Sequence, residues 1–272
     1  MKNITIKDAT IPALGFGTFQ LGPQEATHMV EAAINAGYTH IDTAQMYQNE
    51  EAVGKGIKAS GINRDKVFLT TKVLPSNLGK QSFLPSVEQS LKKLQTEQVD
   101  LLLIHWPSAD VALEEYMGEL VKAQDKGYTK HIGVSNHPIK LVEQALATGA
   151  NLITNQVEYH PLLDQSELYD YLRSKDITLT AYSPIAQGKI IGNETLKAIG
   201  EKYGKSEIQV ALHWLIQQEG VLAIPRSSKE KNMKANIDIF DFELTPEETA
   251  QINKLREQNL RVVNPGFAPQ WD

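Results

Sequence analysis

Short apolar runs alternate with amphipathic stretches along the chain, and this alternation restricts the fold more than any single motif. Eight runs read as strands: Ala13–Phe16, Thr39–Ile41, Val67–Thr71, Asp100–Ile104, His131–Val134, Leu152–Val157, Ile177–Ala181 and Val221–Ile224. Most are apolar on successive residues, as expected of strands covered on both faces. Between them, apolar residues recur at helical spacing. Glu25–Asn35 carries Met29, Val30, Ala33 and Ile34 and closes at Gly37 as a C-cap; the next helix opens Glu50-Glu51, with Asn49 as its cap. Ser82–Leu94, Leu113–Asp125, Lys140–Ala147, Asp164–Lys175, Thr195–Tyr203 and Lys229–Asn236 follow the same logic. Two helices are extra: Ser206–Gln218, before the eighth strand, and Thr245–Asn259, opened by Thr245-Pro246-Glu247-Glu248. Eight strand–helix units predict an α/β fold with a parallel sheet, and their number predicts a closed (β/α)8 TIM barrel. Pattern alone leaves an open doubly wound sheet as the alternative. Against it, the turn Gly15-Phe16-Gly17-Thr18-Phe19-Gln20 has Gln where the dinucleotide-fold fingerprint needs glycine. Ile4–Ile11 reads as a β-hairpin capping the bottom of the barrel.

No linker, repeat or charge block interrupts this rhythm, so residues 1–272 are expected to form one domain. The chain has no cysteine, which excludes disulfides, thiolate zinc sites, Fe–S clusters and cysteine nucleophiles, and suits a reducing cytoplasm. No metal site is expected. With 27 basic and 33 acidic residues the net charge is −6, so nucleic acid is not an expected partner, and any phosphate must be held by a local cluster. The longest aliphatic run, Leu101-Leu102-Leu103-Ile104, is far short of the roughly 20 residues a membrane span needs.

In such a barrel the chemistry sits at the C-terminal ends of the strands. The second strand ends at Asp42 and runs into Tyr47, the third ends at Lys72, and the fourth at His105-Trp106-Pro107. Neighbouring strands lie about 4.8 Å apart, so these side chains can meet. A tyrosine hydroxyl is a poor acid at neutral pH, and a nearby ammonium favours its phenolate. Lys72 supplies that ammonium, Asp42 keeps it charged and aimed, and His105 orients a substrate carbonyl. This is the equipment for protonating a carbonyl oxygen as hydride reaches its carbon. Taken singly, each residue has an ordinary use as a cap, packing group or core histidine; four at three successive strand ends point to a site.

The later strand ends are also polar. Ser135, Asn136 and Gln156 offer neutral groups that can hold an amide, and Tyr182 can stack on a flat ring. The eighth strand ends Ile224-Pro225-Arg226-Ser227-Ser228-Lys229, with Lys231 beyond, at the start of a short helix. That is a local phosphate-binding cluster at the place where barrels often bind one.

These residues carry a family resemblance. Gly37-Tyr38-Thr39-His40-Ile41-Asp42-Thr43-Ala44-Gln45-Met46-Tyr47-Gln48-Asn49-Glu50, Leu103-Ile104-His105-Trp106-Pro107, Ile132-Gly133-Val134-Ser135-Asn136, Asn155-Gln156-Val157-Glu158-Tyr159-His160-Pro161, Ala181-Tyr182-Ser183-Pro184 and Ile224-Pro225-Arg226-Ser227 resemble the motifs of the aldo-keto reductases, in order. The compact loops and the ending Asn264–Asp272 are most similar to the bacterial 2,5-diketo-gluconate reductase branch. The resemblance implies NADPH-dependent reduction of small aldehydes, methylglyoxal-like dicarbonyls or keto-sugar acids, with Tyr47 as acid, Lys72 and Asp42 tuning it, and His105 orienting the carbonyl. It implies that Ser135, Asn136 and Gln156 hold the carboxamide and that Tyr182 stacks on nicotinamide. Gly17, Thr18, Ser183, Pro184, Ile185 and Gln187 would line the dinucleotide. Arg226 and Ser227, with Ile224, Pro225, Ser228 and Asn232 around them, would take the 2′-phosphate end, and Asn236 the adenine. Phe19, Tyr47, His105 and Trp106 would bound the substrate pocket, His137 would shape one wall, and the tail Gly266–Pro269 would be mobile. A monomer is the family's habit. Two other readings stay open: a Schiff-base aldolase with Lys72 as nucleophile, and a nucleotide-sensing interaction module without turnover.

Overall fold

The computed structural model describes residues 2–272. An antiparallel hairpin, β1 (Asn3–Ile6) and β2 (Ala9–Pro12), precedes eight parallel strands. These are β3 (Phe16–Gly17), β4 (His40–Asp42), β5 (Phe68–Val73), β6 (Val99–Ile104), β7 (Thr129–Ser135), β8 (Leu152–Glu158), β9 (Thr178–Tyr182) and β10 (Val221–Ala223), paired in sequence order. The sheet closes on itself: Gly15 N donates to Ala223 O at 2.8 Å, Ala223 N to Ala13 O at 2.9 Å and Gly17 N to Pro225 O at 3.0 Å. The expected barrel is therefore present. The first strand differs from expectation in its pairing. Residues 13–15 bond across the closure to β10, and only Phe16–Gly17 form a ladder with β4.

The helices are α1 (Pro23–Asn35), α2 (Glu50–Ala59), α3 (Phe83–Leu94), α4 (Leu113–Asp125), α5 (Ile139–Ala147), α6 (Ser166–Ser174), α7 (Glu194–Tyr203), α8 (Glu207–Gln217), α9 (Glu230–Ile237) and α10 (Pro246–Lys254). The extra helices α8 and α10 both begin with reciprocal capping boxes, Ser206 with Gln209 and Thr245 with Glu248. The last helix is shorter than its pattern suggests: it tightens into a 3-10 turn at Leu255–Gln258 and stops at Asn259, whose φ of 43° is left-handed. Two glycines sit inside α2 against helix propensity because the neighbours are close. A Cβ on Gly56 would lie 2.6 Å from Thr27 O, and one on Gly54 2.7 Å from the Leu94 backbone.

The strands β5, β6 and β8 are buried along their whole length, so their apolar residues do not alternate with exposed ones, and the polar residues they carry are buried too. The hairpin lies at the N-terminal ends of the strands, where Lys7 Nζ donates to Leu152 O at 2.7 Å. That leaves the C-terminal ends open for a site. Among the described residues no helix is long and apolar enough to cross a membrane.

Candidate active site

The ends of β4 and β5 and the turn after β4 bring Asp42, Lys72 and Tyr47 together. Lys72 is fully buried. Its ammonium donates to Asp42 Oδ1 at 2.5 Å, Thr43 O at 2.9 Å and the Tyr47 hydroxyl at 3.3 Å, three acceptors for three protons. Because the phenolic oxygen accepts from Lys72, its own proton is left for another partner. Tyr47 packs edge-on to His105, with ring centroids 5.5 Å apart, and against Phe19 at 5.1 Å. His105 lies just past β6 and is held by its backbone N–H on Val73 O; its Nδ1 is buried and makes no hydrogen bond. The four residues expected to act together do meet at one place.

Their electrostatics differ from expectation in one respect. Lys72 was expected to draw Tyr47 toward its phenolate. Burial, reinforced by the Asp42 charge, instead pushes the Tyr47 hydroxyl well above its ordinary range. The phenol keeps its proton at neutral pH, which suits a donor. Burial pushes Lys72 down, while the charge and hydrogen bond of Asp42 push it back up. Burial, aided by the Lys72 charge, holds His105 well below its ordinary value. At neutral pH it is an uncharged imidazole.

Asp42 also joins this cluster to the polar ends of β7 and β8. Gln156 Nε2 donates to Asp42 Oδ2 at 2.8 Å. Ser135 Oγ donates to Gln156 O at 2.7 Å, and Asn136 Nδ2 to His105 O and Ser135 Oγ, each at 3.0 Å. The Tyr182 hydroxyl donates to Asn136 Oδ1 at 2.7 Å. Thr18 reaches Asp42 from the other side, through its N–H and its hydroxyl on Asp42 O. Gly17 bridges to Arg226 across the barrel closure.

Backbone strain collects in the same loops. Asn136, Ser183, Ala186 and Gln187 all have φ between 46° and 61°. Left-handed non-glycine residues cost of order 1–3 kcal/mol each and persist where their surroundings over-determine them. Pro184 and Ile185 lie within this reversal, tied by Ala186 N on Ser183 O and Gly188 N on Ile185 O.

At the end of β10, Ile224, Pro225 and Ser227 are buried, Ser228 is half-buried, and Arg226, Lys229, Lys231 and Asn232 are exposed. Arg226 is partly engaged, donating through Nε to Phe19 O and through Nη2 to Gln20 O, each at 3.1 Å. Ser227 Oγ accepts from Lys229 N and shapes the turn into α9. Asn236 is buried on α9 beside Met233. Arg226, the Ser227 turn and the two lysines form a donor set whose chemistry fits a phosphate. The Ser135, Asn136 and Gln156 edge fits an amide.

Several expectations need correction. Asn49 does not cap α2 with its side chain. It accepts from Thr43 Oγ1 and donates to Thr18 O and Leu21 O, stapling the first two strand-end loops together. His137 forms no pocket wall; it is buried, with Nδ1 2.8 Å from Ser135 O and Nε2 3.3 Å from the Tyr116 hydroxyl. The tail has contacts at both ends that the sequence did not suggest. Val262 N and Val263 N donate to the two carboxylate oxygens of buried Glu158 at 2.6 and 2.8 Å, and Ile139 N donates to the Asp272 carboxylate. This places Phe267 and Trp271 against Trp106, with centroids 5.4 and 6.1 Å away. Gln45 was also missed. It holds the Tyr47 turn by accepting from Leu74 N and Asn77 and donating to Ser86 and Ser90. Glu158 had a sequence signal, an acid directly after a buried apolar run. Its partners, 104 and 105 residues away, had none.

A closed parallel barrel with a Tyr–Lys–Asp–His cluster and a nearby cationic turn defines a class, and comparison with known proteins supplies the family. The family model described as the aldo/keto reductase family matches residues 13–257. A methylglyoxal reductase, DkgB, of Yersinia pestis is 43% identical over 268 residues, 97% of this chain and 100% of the relative. A crystal structure named for a 2,5-diketo-D-gluconic acid reductase B superposes with a TM-score of 0.98 at 44% identity, covering 100% of this chain and 98% of that one. A Bombyx mori aldo-keto reductase, solved in complex with NADP, gives 0.90 at 34% identity, covering 97% and 95%. The chain belongs to the aldo/keto reductase family and is an oxidoreductase.

Proposed function

We propose that this protein reduces small aldehydes, methylglyoxal-like dicarbonyls and keto-sugar acids to alcohols with NADPH. The observation that carries the reading is Tyr47, whose hydroxyl accepts from Lys72 Nζ at 3.3 Å and whose ring stands edge-on to that of His105, centroids 5.5 Å apart. When bound, the reduced nicotinamide supplies the hydride that adds to the carbonyl carbon. The residues of the chain do the rest. Neutral His105 donates to the carbonyl oxygen and aligns it with Tyr47. As charge develops on that oxygen, Tyr47 gives it the phenolic proton. Lys72, held in place by Asp42, stabilises the oxygen left behind on Tyr47.

Gln156, Ser135 and Asn136 would hold the carboxamide, and Tyr182 would stack on the ring. Gly17, Thr18, Ser183, Pro184, Ile185 and Gln187 would line the dinucleotide. Arg226, Ser227 and Ser228, between Ile224, Pro225 and Asn232, would take the 2′-phosphate, with Asn236 at the adenine. The relative named methylglyoxal reductase supports the substrate class, and the neighbour holding NADP supports the cofactor. The cysteine-free chain suits a reducing cytoplasm, where we place it as a single-domain monomer.

The Schiff-base alternative finds no support in the geometry. Lys72 is fully buried and its protons already have three acceptors, whereas a nucleophilic amine must be neutral and reachable.

The test is turnover of methylglyoxal, 4-nitrobenzaldehyde and 2,5-diketo-gluconate, together with titration of NADPH against NADH by protein fluorescence. Turnover with a preference for NADPH of about tenfold or more is expected, the worth of one or two charge-assisted hydrogen bonds to a phosphate. No turnover would refute the reading. Equal binding of the two cofactors would refute the phosphate role of Arg226.

A further inference from the structure

The chain has five arginines. Four are engaged by protein acceptors. Arg64 bonds Val67 O, Gln98 O and Asp100; Arg173 bonds Glu219; Arg226 bonds Phe19 O and Gln20 O; Arg256 bonds Ser166. Arg261 is different. It is half-buried, and its Nη1 is buried without any hydrogen-bond partner. The face of its guanidinium lies on the Trp271 ring, 4.0 Å from the centroid. Stacking occupies a guanidinium's face and leaves the N–H donors along its edge free, the geometry that matches a carboxylate.

Its position is fixed from two sides. The next two residues are clamped by Glu158 through their backbone N–H groups. The Trp271 ring beneath it packs against Trp106, the residue after His105. Its electrostatic neighbours are Glu158, Tyr182 and Asp272. Glu158 is already occupied by Val262 N, Val263 N and His160, and Asp272 by Ile139 N. Arg261 therefore stands one ring away from Trp106, through Trp271, with Tyr182 among its electrostatic neighbours. Its cation is aimed by its neighbours but neutralised by none of them at hydrogen-bond distance.

We propose that Arg261 is a specificity-determining residue that binds the carboxylate of carbonyl substrates carrying one. This rests on the reductase reading above and narrows it to acids among the carbonyl compounds, such as oxo acids and keto-sugar acids. Such a substrate would place its carbonyl oxygen between Tyr47 and His105 and its carboxylate on the guanidinium edge.

The test compares 4-carboxybenzaldehyde with 4-nitrobenzaldehyde, whose para groups are similar in shape and differ in charge, in NADPH-coupled reduction. The readout is the ratio of their kcat/KM values in wild type, Arg261→Met and Arg261→Lys. We expect the ratio to fall about tenfold or more in Arg261→Met, mainly through KM of the acid, with Arg261→Lys in between. We also expect benzoate to compete against 4-nitrobenzaldehyde more weakly in Arg261→Met than in wild type. An unchanged ratio, or an equal loss on both aldehydes, would overturn the Arg261 assignment and leave it a stacking residue for the tail. If wild type reduced neither these aldehydes nor methylglyoxal nor 2,5-diketo-gluconate, the reductase reading itself would fall instead.

Discussion

Asp42→Asn keeps the shape of a buried side chain and removes its charge. Lys72, fully buried, then loses the carboxylate 2.5 Å from its ammonium. Breaking a buried pair by removing one partner costs about 3–5 kcal/mol, because the survivor is an uncompensated charge. Lys72→Met is the mirror perturbation. It leaves Asp42 with Gln156 Nε2 as its remaining side-chain partner and costs a similar amount. If the sites were independent, the double variant would lose about 6–10 kcal/mol, most of the stability of a typical domain. The geometry predicts otherwise. With both charges gone, the double variant should lose less than either single one, giving a coupling energy of about 3 kcal/mol or more. Urea unfolding of the four proteins at pH 7, with m checked for constancy, measures this. Losses that add to within about 0.5 kcal/mol would refute the coupling. Turnover separates the two consequences: all three variants should be severely impaired, so the double variant regains stability without activity.

Other expectations follow from the surroundings of the site. Burial lowers His137 from 6.5 to about 4, so the folded protein binds fewer protons than the unfolded chain between those values. Its contribution is therefore present above pH 6.5 and lost as pH falls toward 4, about 3 kcal/mol in all. His137→Asn should be less stable than wild type at pH 7 and show a shallower loss across that window in acid unfolding curves; an unchanged slope would exclude His137 as a source. Glu158→Ala should free the tail, raising aldehyde KM several-fold with a smaller change in kcat and exposing the segment beyond Leu260 to protease, while Glu158→Gln, which keeps one carbonyl acceptor, should lie in between. Unaltered KM and protease resistance would mean that the tail is fixed by its aromatic contacts alone.

The barrel was legible because short strand-like runs alternate eight times with stretches whose apolar residues recur at helical spacing. Leu113–Asp125 is found with the boundaries its pattern sets. What sequence misplaced depended on distant partners. Asn49 stands where a cap belongs, yet its amide is taken by Thr18 O and Leu21 O, across a loop whose path no local pattern records. The strand-end rule anticipated that Asp42, Lys72, Tyr47 and His105 would lie together, since chain order and barrel closure together decide which ends are neighbours. It did not give the direction of the Tyr47 shift, which follows from the depth of burial. Nor did it find the clamp of Glu158 on Val262 and Val263, which forms only once the tail folds back over the sixth strand of the barrel.

The central claim is that Tyr47 gives the proton to the carbonyl oxygen. Tyr47→Phe keeps the ring against His105 and Phe19 and removes only the hydroxyl. The direct measurement is single-turnover oxidation of NADPH by excess methylglyoxal in wild type and Tyr47→Phe, with the NADPH dissociation constant of each taken from fluorescence. The account predicts a rate loss on the order of 10³-fold or more, about 4 kcal/mol of transition-state stabilisation, with NADPH binding changed by less than about threefold. Rates within tenfold of each other would contradict it.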